Sequence, residues 1–153
     1  MNSFVKQRIL ADPARADGHD ANGNPGDCLT ACVASLTGEP YEDVPHFAQH
    51  VSWWSYMRRW ARARGADFAC IVPVDGSIRH VIDEAERGLA IGSGPSPRGP
   101  FRHVVVVDED LQLVHDPHPS DAGVLYVDEV LVWSEPYDPA PAHAQLLTAG
   151  GVR

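Results

Sequence analysis

Leu29, Cys32, Val33 and Leu36 recur at the three- and four-residue spacing of an α-helix that buries one face, and Gly38 follows where a left-handed cap would end it. Asp27 stands at the N-cap position, and Asn24-Pro25-Gly26 reads as the loop leading in. A second short helix is predicted over 39–47, entered through Pro40 at its first turn, with Tyr41, Val44 and Phe47 turned inward. Ser52 caps a third, from about Trp53 to Arg64, whose stripe is Trp53, Met57, Trp60 and Ala61. Arg58, Arg59, Arg62 and Arg64 face water or line its edge, and Gly65 closes it. Ser77 to Arg87 carries Ile78, Val81, Ile82 and Ala85 in the same rhythm before Gly88, which predicts a further amphipathic helix.

Strand-like patterns mark residues 4–10 and 68–72, and from residue 89 they dominate: LAIGSG, HVVVVD, LQLVHD and VLYVDEVLVW. In HVVVVD, Val104 and Val106 fall on one face and His103, Val105 and Val107 on the other, as a half-buried sheet requires. Residues 11–27 are loop-forming, and the stretch from Pro136, rich in Pro and Ala, reads as a loosely held tail. Helices in the first half and a mainly antiparallel sheet in the second predict an α+β fold over one domain, residues 1–153, with no internal repeat.

Composition narrows the function. A chain of 153 residues, 44% hydrophobic, can bury one real core. A formal charge of -9 argues against a nucleic-acid or anionic-membrane surface, both of which need clustered cations. The N-terminal MNSFVKQRIL lacks the apolar run of a signal peptide, and no stretch is apolar enough to span a bilayer. Three cysteines, Cys28, Cys32 and Cys70, make an odd number without framework density, which predicts free thiols in a reducing cytoplasm.

Of the three, Cys28 has chemical promise. It opens the first helix, where unpaired backbone N–H groups and the positive end of the macrodipole favour a thiolate. Cys32 and Cys70 read as packing residues. A base is found in the strands: a two-residue turn at Glu109-Asp110 would set His103 directly across from Asp116, within reach of a carboxylate–imidazole hydrogen bond. Glu-Asp lacks the glycine that a tight turn prefers, so a longer loop and shifted register are also open, which would leave the pair diagonal. Cys28 as nucleophile, His103 as base and Asp116 as orienter then form a triad.

The order Cys, His, Asp, with Asp27-Cys28 opening a small-residue helix and a His103-led valine strand returning to Asp116-Pro117, resembles papain-like cysteine peptidases, most closely their bacteriocin-processing branch. The resemblance covers roughly residues 20–120 and implies a helical lobe carrying the cysteine packed on an antiparallel sheet carrying the other two. Such families place a Gln about six residues before the cysteine to hold the oxyanion. Here that position is Asn22, with Asn24 closer and Gln7 much farther away, so Asn24 together with the Cys28 amide is the expected donor. Leu29 replaces the glycine those peptidases commonly carry after the cysteine.

Other features are candidates for binding. The loop from Gly92 through Pro100 ends just before His103 and is expected to rim the cleft, with Ser93 on it and Arg98 able to meet a substrate carboxylate. Trp53 and Trp60 fall on the packing stripe, leaving Trp54 for substrate contact, and His118 for the cleft wall. The cluster His115, Asp116, His118 and Asp121 resembles a metal site in composition, but its prolines stiffen it and His115 would point away from Asp116. The expectation is a cysteine hydrolase cleaving a peptide, isopeptide or related amide bond of a peptide or protein substrate, without metal or organic cofactor. The alternatives are a deamidase or acyltransferase using the same triad, and a non-catalytic binding module, whose sign would be Cys28 and His103 held apart.

Overall fold

The first helix, α1 (Cys28–Thr37), stops at Gly38, which takes φ 75° and donates its N–H to Ala34 O at 2.9 Å. The computed structural model describes residues 4–82 and 88–135. A second helix, α2 (Trp53–Arg62), follows two 3₁₀ turns, Tyr41–Asp43 and Phe47–Gln49. The strands are β1 (Asp67–Ile71), β2 (Ala90–Pro95), β3 (Arg102–Val107), β4 (Leu113–His115) and β5 (Glu129–Ser134). They form one sheet in the order β1-β5-β2-β3-β4 with antiparallel neighbours throughout, so the fold is α+β. Among the described residues no helix is long and apolar enough to cross a membrane.

The alternation in β3 sets the two faces of the sheet. Val106 joins Ile91, Leu131 and the helix residues Cys32, Val33, Phe47, Met57 and Trp60 in one core cluster, with Val104 packed against it. Val105 and Val107 join Ile78, Ala90, Val130 and Val132 in a second, covered by Val124 and Val127. Each fully buried Val, Ile or Phe contributes about 1.5–3 kcal/mol by leaving water. Residues 124–128 cross β2 closely enough that Leu125 N donates to Pro95 O at 2.9 Å and Asp128 N to Ser93 O at 3.0 Å. Gly94 permits this, because a Cβ there would lie 1.7 Å from Tyr126 O.

Several expectations are corrected. Residues 4–10 form no strand; they run as an irregular arm tied by Val5 N to Ser35 Oγ (2.9 Å) and Gln7 N to Pro117 O (3.0 Å). Pro40 and Pro45 confine the second predicted helix to 3₁₀ turns, as prolines inside a short segment would. Residues 77–82 make turns rather than a helix, and 83–87 lie outside the described residues, as does the tail from 136. Cys70, expected in the core, is exposed because β1 is an edge strand, whereas Cys32 is buried with its thiol 3.6 Å from Val104 O. Burial pushes the Cys32 thiol well above its ordinary range.

Candidate active site

Asp27 does not cap α1. Its buried carboxylate accepts the backbone N–H of Arg8 (3.0 Å to Oδ1) and of Ile9 (2.8 Å) and the hydroxyl of Tyr41, while no side-chain cap bond forms. The bonds fasten the N-terminal arm across the mouth of α1. Gly26 leaves room for this approach, since a Cβ there would meet Gly18 O at 3.3 Å and Ile9 O at 3.6 Å. Cys28, the next residue, opens the helix half-buried on the wall of a cavity of about 730 Å³.

His103, at the start of β3, lines the same cavity and is 3% exposed. Its Nε2 lies 2.7 Å from Asp116 Oδ1. A carboxylate can only accept, so Nε2 carries the proton and Nδ1 is the nitrogen left for the thiol of Cys28. Burial lowers the tendency of the ring to charge, but hydrogen bonds to Asp116 and to Cys28, reinforced by the charges of both, outweigh it and raise the imidazole above its ordinary value. Asp116 accepts two more donors, His118 N at 2.9 Å and Gly123 N at 2.7 Å. Burial would push its carboxyl up, yet the His103 bond and these two N–H groups hold it down to about 2.

The route from sequence to this pair differs in detail from the two-residue turn. The loop is longer, closed by Asp108 N to Gln112 O at 3.1 Å, with Leu111 at φ 63°. A bulge between Val106 and Val107 then sets Val106 against His115. Asp116 therefore sits just past the end of β4, and its side chain still reaches His103.

The oxyanion expectation is corrected. Asn22 and Asn24 are exposed and outside the cavity wall, the Asn24 amide being bonded to Asp20 Oδ2 at 3.2 Å and the Asn22 N–H to Asp20 Oδ1 at 3.0 Å. Gln7 lines the cavity instead, brought there by the arm that Asp27 fastens. Its Nε2 donates to Ile9 O at 2.8 Å, which leaves the second N–H of the amide, while Oε1 is buried without a hydrogen-bond partner among the described residues. An orphaned amide oxygen costs about 1–3 kcal/mol that an aliphatic side chain would not, which argues for a polar task at this position.

Ser93, Arg98 and His118 all line the cavity. The tryptophans exchange the roles read from the helical stripe: Trp53, 39% exposed, lines the cavity, and Trp54 is half-buried against the core with Arg58 over its ring. Leu29 and Phe101 add apolar wall. His115 leaves the site altogether, its Nε2 2.8 Å from Val5 O and its ring stacked on Phe4. No protein-family model matches the chain, and neither a search of curated proteins nor one of solved structures finds a match.

Proposed function

We propose that this protein is a papain-like thiol hydrolase of peptide or related amide bonds, with Cys28 as nucleophile, His103 as general acid and base, and Asp116 as orienter. The observation that carries the reading is that Cys28 and His103 line one cavity, large enough for a peptide segment, with His103 Nε2 held 2.7 Å from Asp116 Oδ1. A non-catalytic module would have no need of a buried imidazole bonded to a carboxylate and sharing a cavity wall with a helix-start thiol.

In this scheme Cys28 passes its proton to His103 Nδ1 as Sγ attacks the carbonyl carbon. The oxyanion that forms takes the backbone N–H of Cys28, which has no intrahelical acceptor because it belongs to the first turn of α1, and the remaining N–H of Gln7. Nδ1 then returns the proton to the leaving nitrogen, the C–N bond breaks and a thioester remains. Water, deprotonated by Nδ1, attacks that thioester, releasing the acid and restoring the thiol.

Digestion of a defined peptide mixture, followed by mass spectrometry, tests this directly. Wild-type protein should yield new termini, and Cys28→Ala should yield none while melting within a few degrees of wild type, since the side chain is only half-buried. Products that persist in Cys28→Ala would overturn the reading. Ammonia release without new termini would redirect it to deamidation by the same residues.

A further inference from the structure

We propose that Arg98, backed by Ser120 and His118, forms an anion subsite beside the thiol, so that the substrate carries a carboxylate on the leaving-group side of the bond Cys28 attacks. This deepens the thiol-hydrolase reading and rests on it.

The Arg98 side chain is only 16% exposed, yet it lines the cavity that holds Cys28. Its Nη1 lies 3.3 Å from Ser120 Oγ and 4.0 Å from Asp116 Oδ2, and the guanidinium makes no other side-chain hydrogen bond among the described residues. Asp116 gives it little, because that carboxylate is already engaged by His103, His118 N and Gly123 N. A half-buried cation with most of its donors unused among the described residues calls for an anion. Burial accordingly pushes the Arg98 guanidinium down, opposed only by Asp116 and Cys28. The two other carboxylates on the cavity wall, Asp17 and Glu129, do not act on it.

His118 supplies a second donor. Ser120 N–H reaches its Nδ1 at 3.0 Å and the Ser120 hydroxyl reaches it at 2.8 Å, so the proton sits on Nε2. Burial, together with the neighbouring positive charges of Arg98, His103 and Lys6 and against the charge of Asp116, lowers the tendency of the ring to charge. Its ring meets that of His103 edge-on, with centroids 6.2 Å apart. A base that protonates the leaving nitrogen must stand on the leaving-group side of the thiol; His118 meets that base edge-on, and Arg98 lies 4.0 Å from the carboxylate bonded to it. One cation, bonded among the described residues only to Ser120 Oγ, and one N–H donor with no acceptor among them match a carboxylate there. It could be the α-carboxylate of a C-terminal residue or the side chain of an acidic residue following the bond.

The experiment compares alkylation of Cys28 by iodoacetate, which carries the anion, with alkylation by neutral iodoacetamide, read by mass spectrometry near neutral pH. The iodoacetate-to-iodoacetamide rate ratio should fall about tenfold in Arg98→Gln, the effect expected of one charge-assisted hydrogen bond, and be largely kept in Arg98→Lys. A ratio unchanged in Arg98→Gln overturns the subsite while leaving the hydrolase intact. The hydrolase reading itself fails on a different signal: iodoacetamide labelling of Cys28 no faster than that of exposed Cys70 and indifferent to His103→Ala. Digestion of matched free-acid and C-terminally amidated peptides separates the two carboxylate sources. Preference for free acids assigns the α-carboxylate, and preference for Asp or Glu after the cleaved bond in both sets assigns the side chain. Cleavage that favours neither overturns the proposal.

Discussion

Gln7 carries the clearest residue-scale consequence. Its Nε2 is fixed by Ile9 O and its amide faces the cavity of Cys28, so Gln7→Ala should lower kcat by about 10²–10³ with KM little changed, the signature of a donor used in the transition state. Steady-state kinetics on any cleaved peptide would show it, and a loss confined to KM would contradict it. At this scale the sequence was legible where chemistry is local. His103 on β3 and Asp116 just past β4 belong to neighbouring strand segments joined by a short loop, and a two-residue change of register did not separate them, because side chains of that reach bridge a diagonal. Gln7 was hidden because what brings it to Cys28 is a buried carboxylate collecting backbone N–H groups, a bond pattern that leaves no periodic trace. Helical spacing also cannot separate Trp53 from Trp54, since both border the apolar stripe at the first turn of α2, where the neighbouring loops decide which is covered.

Among the elements, the arm and the crossing segment depend on single positions. Asp27→Ala would strand the N–H groups of Arg8 and Ile9 and the hydroxyl of Tyr41, whose proton burial and the Asp27 bond now hold more tightly than usual. The loss should be about 3 kcal/mol, read from urea unfolding, and should be accompanied by slower catalysis because Gln7 travels with the arm. Gly94→Ala should cost a similar amount, roughly 3 kcal/mol, by driving residues 124–128 off β2, with the Cys28–His103 pair less affected. A near-neutral result for either would mean that the backbone yields more easily than the close contacts imply. Helices α1 and α2 and all five strand regions were legible from the pattern of apolar positions, whereas the 3₁₀ turns and the arm were not, because proline placement and tertiary bonds override pattern there.

For the molecule as a whole, the His103–Asp116 pair ties stability to pH from both sides. The His103 pKa is raised on folding, so its contribution is complete below the ordinary imidazole value of 6.5 and is lost as pH rises through the raised value. The Asp116 pKa is lowered on folding, so its contribution is present above the ordinary carboxylate value of 3.8 and is lost as pH falls toward about 2. Both are in full force between these limits. Thermal unfolding across this range should therefore show that Asp116→Asn removes stability above pH 3.8 and converges on wild type in acid, while His103→Ala differs most below pH 6.5. Parallel Tm curves for wild type and either variant would disprove the linkage.

The arm and the sheet also impose an order in time. A ribosome delivers Gln7 and Cys28 well before His103, Asp116 and the Gly123 N–H that steadies Asp116. Pro117 O, which anchors Gln7, comes equally late. A nascent chain thus carries its thiol without an imidazole or a fixed amide beside it until β3 and the residues after β4 have joined the sheet, so under the proposed function Cys28 would stay chemically quiet during the early part of synthesis.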